Sequence, residues 1–235
     1  MSIAPTPHAQ TAIFTLEHYE HMVERGAFGC EYEQKKVELL QGKIVEKGTD
    51  TPAKFTLDHY EHMIAVGAFD EPYNISAELL HGEIIMMSPM GPSHSNDIDF
   101  LAKWSFGVTA NHPIRIRIQN PIRLPSDSSE PEPDICWVRE QDYSQEHPNS
   151  EDVLLIIEVA ESSLAIDRGP KLVAYAEAEI ADYWIVNLID KQIEVYRHPL
   201  NQAYQEKSIY RDDQKVSPLA LPEAQFSLSR LFAKP

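Results

Sequence analysis

The sequence predicts an α/β protein: a central mixed β-sheet flanked by helices, preceded by a duplicated helix–hairpin unit. Three observations carry this. Short apolar runs bounded by Pro, Gly or polar clusters alternate with helical segments over residues 93–197. One helix separates the run ending at Glu158 from the next strand, so those strands should pair in parallel, whereas 183–188 and 192–197 read as an antiparallel hairpin. A long N-terminal segment also occurs twice.

The duplicated unit comes first. Phe14-Thr15-Leu16-Glu17-His18-Tyr19-Glu20-His21-Met22-Val23 recurs as Phe55-Thr56-Leu57-Asp58-His59-Tyr60-Glu61-His62-Met63-Ile64, and Gly26-Ala27-Phe28 as Gly67-Ala68-Phe69. After a one-residue slip, Glu38-Leu39-Leu40-Gln41-Gly42 recurs as Glu78-Leu79-Leu80-His81-Gly82. Each copy predicts a Thr-capped helix, a loop and a strand–Gly turn–strand. Two copies are too few for a solenoid. They divide the chain into a first copy over 1–48 and a domain over 49–235 that contains the second.

The body follows the second copy. Residues 87–92 form a loop and 93–108 a helix. Ile114-Arg115-Ile116-Arg117-Ile118 alternates strictly, as a half-buried strand does; Asn120-Pro121 breaks it and 122–124 resume it. An acidic, proline-bearing loop over 126–133 leads to strand 135–138, a polar loop and strand 153–159. Pro170 suits the first turn of a helix running to about residue 179. After the hairpin, weaker strands are expected at 204–210 and 226–231.

Bulk composition bounds the function. A chain of 235 residues, 43% hydrophobic, can bury a sizeable core. No apolar run approaches the roughly 20 residues that span a bilayer, and residues 1–10 show no signal-peptide pattern. Cys30 and Cys136 form no disulfide framework, which fits a reducing, cytoplasmic setting; Cys136 reads as a small core residue. The net charge is −17: residues 1–48 contribute −2, and residues 127–194, with 17 acidic and 4 basic residues, contribute −13. Such a field attracts cations and repels a phosphate backbone, so it disfavours a general DNA binder.

Three residues stand out chemically. Asp134 opens the apolar run Ile135-Cys136-Trp137-Val138, Glu158 ends Val153-Leu154-Leu155-Ile156-Ile157, and Lys171 follows in Asp167-Arg168-Gly169-Pro170-Lys171. Carboxylates in apolar strands are costly unless paired or metal-bound. Two of them followed by a lysine point to a Mg²⁺ (or Mn²⁺) site for phosphoryl chemistry. Lys171, in a helix's first turn, either joins the helix dipole in stabilising a phosphate or merely neutralises Glu158. Tyr175 shares its helix face and either bonds a carboxylate or packs. Asp167 reads as that helix's cap rather than as a metal ligand. His18/His21 and His59/His62 have zinc-compatible spacing without a third ligand, which reads as surface decoration. Arg115, Arg117 and Arg123 either grip a phosphate backbone or line a solvated face.

Taken together, Pro133-Asp134, the strand ending Ile157-Glu158-Val159, Asp167-Arg168-Gly169-Pro170-Lys171 with Tyr175, and Asp182-Tyr183-Trp184-Ile185-Val186 resemble the Uma2 (Uma-two) family of restriction-endonuclease-like proteins, in the PD-(D/E)xK nuclease superfamily. The resemblance covers residues 55–197. It implies a restriction-endonuclease-like core, with Asp134 and Glu158 as metal ligands. The superfamily's lysine position, two beyond the glutamate, is Ala160 here; the family pattern places the lysine on the following helix, as Lys171. Glu78, in the family's first acidic motif, is implied as a third carboxylate or reads as a solvent-facing strand residue. His94 is implied as a site-facing histidine or reads as a surface cap residue. By analogy with nuclease-fold dimers, a homodimer is expected. A second reading keeps the fold without catalysis, as a protein that binds a partner or a regulatory ligand; the net charge favours it, and the Asp–Glu–Lys order favours the enzyme.

Overall fold

The computed structural model describes residues 13–29, 36–87 and 91–232; Cys30 and the opening segment 1–10 lie outside them. The first copy holds helix α1 (Leu16–Glu24) and hairpin β1 (Val37–Leu40)–β2 (Lys43–Glu46); the second holds α2 (Leu57–Ala65) and β3 (Ala77–Leu80)–β4 (Glu83–Met86). Thr15 and Thr56 cap the helices. Each hydroxyl accepts from the N–H three residues on, and the histidine there returns a ring nitrogen to the threonine N–H, a capping box with His18 or His59 in the place of Glu or Gln. The two hairpin turns carry positive φ at both central residues, 51° and 78° at Gln41-Gly42, 50° and 75° at His81-Gly82, which is why glycine stands second.

Helix α3 (Pro92–Thr109) starts with Gly91 as cap and Pro92 at its first position, and buries Ile98, Leu101, Ala102 and Ser105 along one stripe. The body then runs through β5 (Ile114–Ile118), β6 (Ile135–Arg139), β7 (Val153–Ala160), α4 (Leu164–Asp167), α5 (Pro170–Glu177), β8 (Asp182–Asn187), β9 (Gln192–Leu200) and β10 (Ala203–Arg211). β11 (Lys215–Val216), β12 (Phe226–Ser227) and α6 (Ser229–Phe232) close the described chain. One six-stranded sheet results, in the order β10-β9-β8-β7-β6-β5, parallel between β7 and β8 and antiparallel at the other pairings. The expected strand over 226–231 is instead a two-residue strand followed by a helical turn: Leu228 and Leu231, three apart, are both buried, which a turn of helix allows and a strand does not. Two helices rather than one fill the β7–β8 crossover.

Two apolar layers cover the sheet. On one face α3 and the C-terminal segment pack on Ile135, Trp137, Leu155, Ile157 and Trp184, with Trp104 against Trp137, Trp184 and Phe226 at ring-centre distances of 5.5, 6.2 and 5.1 Å. On the other, Ala174 and Tyr175 of α5 pack on Cys136, Ile156, Ala160 and Tyr183. Leu101 is fully buried in the first layer, so Leu101→Ala should lower the unfolding free energy by about 2–5 kcal/mol in a urea titration. A loss well under 1 kcal/mol, about what a surface site shows, would mean that α3 is not seated on the sheet.

The N-terminal copies share a third apolar cluster, with Phe14, Met22 and Phe28 of the first beside Phe55, Met63 and Leu79 of the second. The second copy is also tied to the body: the Glu130 N–H donates to the Leu79 carbonyl at 2.7 Å. His21 and His62 bond across the pair of copies, and His18 and His59 complete helix caps, so the reading of the four histidines as surface decoration is corrected. Sequence spacing shows which helix face a side chain occupies, but not that another part of the chain covers it. Among the described residues, no helix is long and apolar enough to cross a membrane.

Candidate active site

Asp134 and Glu158 face each other across β6 and β7. Ile135 pairs with Ile157, which sets Asp134 opposite Glu158 just beyond the paired residues. Both share the parity of Cys136 and Ile156, so both lie on the face covered by α5. The Asp134 N–H donates to Oε2 of Glu158 at 3.2 Å, and Oδ2 of Asp134 accepts from the Val159 N–H at 2.8 Å. Each strand's backbone thus holds the other's carboxylate. Oδ1 of Asp134 accepts from Gln119 Nε2 at 3.2 Å.

Lys171 enters from the first turn of α5. Its Nζ donates to Oε1 of Glu158 at 3.0 Å and to Oε1 of Glu78 at 3.2 Å, and the Tyr175 hydroxyl, one turn on, donates to the same Glu158 oxygen at 2.8 Å. The Glu132 N–H donates to Oε1 of Glu78 at 3.1 Å, while Oε2 of Glu78 is buried with no hydrogen-bond partner. Glu38, the counterpart of Glu78 in the first copy, accepts instead from the Gly48 N–H at 3.0 Å. His94, in the first turn of α3, brings Nε2 to 3.3 Å from Oδ2 of Asp134, close enough for an ion pair but poorly aligned for a hydrogen bond.

The cluster is buried and acidic: Asp134 is 9% exposed, Glu158 3% and Lys171 2%, with Glu78 and Asp167 also buried. Four carboxylates surround one ammonium. Burial pushes Glu158 up to about 8; the Lys171 charge opposes this, and Asp134, Asp167 and Glu78 reinforce it. Burial works against the Lys171 charge too, but Glu158, Glu78, Asp167 and Asp134 outweigh it and hold the ammonium well above its ordinary range. Nearness to Asp134 raises the His94 imidazole.

The donor set suits a hard divalent cation. It consists of carboxylate oxygens, one of them a buried orphan at Glu78, and its surplus negative charge is what an ion would offset. Among the described residues, however, no group of three or more His, Cys, Asp or Glu side chains stands together as a metal-binding set. Asp134 and Glu158 present facing carboxylates of the kind a hard divalent cation takes, while Glu78 is turned to Lys171.

Residues 57–229 match the model of the Uma2 family, whose description is "Putative restriction endonuclease". The chain belongs to the Uma2 family. A crystal structure of "a putative nuclease belonging to DUF820", from Anabaena variabilis, superposes with a TM-score of 0.59 at 15% identity, over 76% of this chain and 98% of that one. No curated protein matches the chain in sequence. The Uma2 match and the superposition together give a restriction-endonuclease-like fold.

In this Uma2 chain the remaining expected residues fall out differently. Arg115 and Arg117 stand on β5 on the site face, since Arg117 pairs with Cys136. Arg115 is bound to Glu140 at 2.5 Å, Arg117 donates to the Pro121 carbonyl at 3.4 Å, and both guanidinium groups lie within 5.8 Å of the Tyr143 ring centre. Gln119, two residues beyond Arg117, is the β5-side residue that reaches Asp134, and nothing in its sequence neighbourhood marked it. Arg123 bonds Glu61 at 3.0 Å. Asp167 does not cap α5, whose cap is Gly169; it is buried, accepts from the Ser163 hydroxyl at 2.7 Å and acts on Lys171 through its charge.

Two tethers of the α4–α5 turn also escaped the sequence. Arg168 donates through Nε and Nη2 to Glu194, a fully buried residue of β9 that lies in one cross-strand row with Ile185 and Glu158. Glu194 further accepts from Lys207, Asn187, Gln192 and Tyr196. His81, in the β3–β4 turn, donates through Nε2 to the Pro170 carbonyl at 2.9 Å. Arg168 and His81 thus fix the chain at positions 168 and 170, immediately before Lys171. Glu194 sits in an alternating strand where a glutamate normally faces water, so only the tertiary structure reveals it.

Proposed function

We propose that this Uma2 protein is a metal-dependent nuclease that hydrolyses phosphodiester bonds of nucleic acid. The observation that carries the reading is the buried Lys171 ammonium, clamped 3.0 Å from Glu158, with Asp134 on the neighbouring strand. Asp134 and Glu158 would hold Mg²⁺ or Mn²⁺, which when bound polarises the phosphate and lowers the pKa of a water. Lys171 supplies a fixed positive charge for the phosphate as negative charge builds on it. Glu78 and the two tethers of the α4–α5 turn hold that ammonium in place, so it need not reorganise during the reaction. Tyr175 keeps one Glu158 oxygen turned to Lys171, which leaves Oε2 on the Asp134 side. Arg115 and Arg117 offer charge on the same sheet face for a nucleic-acid backbone. A homodimer acting on both strands is the assembly proposed by analogy.

Two observations favour the non-catalytic reading. The net charge is −17, and Lys171 is 2% exposed with its ammonium already bound by two carboxylates, as a structural ion pair would be. Incubation with single- and double-stranded DNA and RNA, in Mg²⁺ or Mn²⁺ and in EDTA, separates the two. Cleavage that needs metal and is lost in Asp134→Asn supports the nuclease, because a neutral amide is a poor ligand for a hard cation. No cleavage of any substrate, or equal cleavage by Asp134→Asn, leaves the binding protein.

A further inference from the structure

The two N-terminal copies are packed against each other as a symmetric pair. His21, near the end of α1, turns its Nε2–H to the Gly67 carbonyl at 3.3 Å. His62, its counterpart on α2, turns its Nε2–H to the carbonyl of Gly26, the counterpart of Gly67, at 3.2 Å. When a residue meets another, and their counterparts meet in reverse, the contact is isologous, the geometry of a two-fold dimer. Local structure matches as well: Thr15 and Thr56 have φ, ψ of −82°, 170° and −82°, 168°, and Met22 and Met63 are both fully buried. The Phe28 and Phe55 rings meet across the pair at 6.1 Å. The symmetry is imperfect, since Arg25 adds a donor to the Gly67 carbonyl that its counterpart Val66 cannot return.

A helix with a two-stranded ribbon is too small to bury its own apolar face, so each copy needs a partner surface. The second copy is joined to the body through the Leu79–Glu130 bridge, and the unit that covers its face has the same sequence pattern. We infer that this face is a self-association surface whose cognate occupant is another copy of the same helix–hairpin unit, and that the duplication supplies that occupant within the chain. The tight connector between copies, where the Glu46 N–H meets the Thr51 carbonyl and Val45 bridges Pro52, keeps the docking within one chain. The first copy thereby closes a face that would otherwise bind a second copy of this protein. The inference stands independently of the nuclease reading.

The test uses the full chain and its mass in solution by light scattering after size exclusion. All three tryptophans, Trp104, Trp137 and Trp184, lie in the body layer, so their emission reports the body's fold separately from the copies. Met22→Asp places an unpaired charge in the first copy's buried face and should release it. The freed face then pairs with itself, and the mass doubles relative to the parent with native emission. Met22→Asp with Met63→Asp should return to the parent mass. Native emission with unchanged mass in Met22→Asp, or a doubled mass that persists in the double variant, overturns the inference. Should Met22→Asp lose native emission, a chain lacking residues 48–50 decides, because its apolar faces are intact but its copies cannot reach each other within one chain. That chain should also double in mass by docking across two chains; the parent mass with native emission overturns the inference.

Discussion

Lys171→Ala should abolish cleavage, by at least about 10³-fold, and also cost the folded state about 3–5 kcal/mol at pH 8.5. A lysine that only contacted the substrate would leave the fold intact when removed. The structure changes that expectation, because Lys171 is buried and is the cation nearest Glu78 and Glu158. Removing it leaves two buried carboxylates without compensation, which is worse than never having had the pair. The loss should depend on pH. Near pH 5.5 the stranded Glu158 carboxyl, which burial already raises, takes up a proton, and the penalty should shrink. Urea unfolding at both pH values, followed by tryptophan emission, reads this. A loss equal at pH 5.5 and 8.5 would show that the ammonium does not compensate the carboxylates. Lys171→Met, which keeps most of the aliphatic stem, should show the same pH dependence with a smaller loss at pH 5.5.

The metal-free protein should be most stable in acidic solution, at roughly pH 4–5, and weaken as the pH rises to about 8.5. Burial raises five carboxyls: Glu158 to about 8, Glu130 to about 7, Asp167 to about 6, and Glu132 and Asp182 as well. Between the unfolded values near 4 and these folded values, the native state holds protons that the unfolded chain has lost, so stability falls as pH rises through the folded values. Glu194 has the opposite sign. Burial alone would raise it, but the donors of Arg168, Lys207, Asn187 and Gln192 outweigh burial and hold it well below the usual carboxylate range. Its contribution is complete above the unfolded value and is lost as pH falls towards the folded one, which sets the acid side of the optimum. Millimolar Mg²⁺ or Mn²⁺ should raise Tm, and more so at pH 8.5 than at pH 6, because the ion competes with protons for Glu158. An unchanged Tm at both pH values would mean that Asp134 and Glu158 hold no such ion.

The sequence by itself determined the elements and their order. Strict alternation in 114–118, apolar runs at 135–138 and 153–159, and Pro170 at a helix start reappear within a residue or two as β5, β6, β7 and α5. These patterns are local: period 2 or 3.6 and a cap are written in neighbouring residues. The same local logic marked Asp134, Glu158 and Lys171 as polar residues where apolar ones are usual, and the register of two strands and one crossover brings them together. The repeat likewise marked Glu78, whose continuity with the body carries it to Lys171 while Glu38 stays away.

Only the tertiary structure decided how those residues are used. Glu194, Gln119 and His81 carry no local signal, because a buried polar group in an alternating strand, at a strand end or in a turn is spelled like a solvated one. What distinguishes them is a partner at least 15 residues away in sequence: Arg168 for Glu194, Asp134 for Gln119, and the Pro170 carbonyl for His81. The repeated histidines make the same point, since their spacing allowed a metal or a solvated face, and packing of one copy on the other turned two of them into cross-copy donors. Periodicity gives the face of an element; what covers that face is set by long-range packing, which only the folded chain shows.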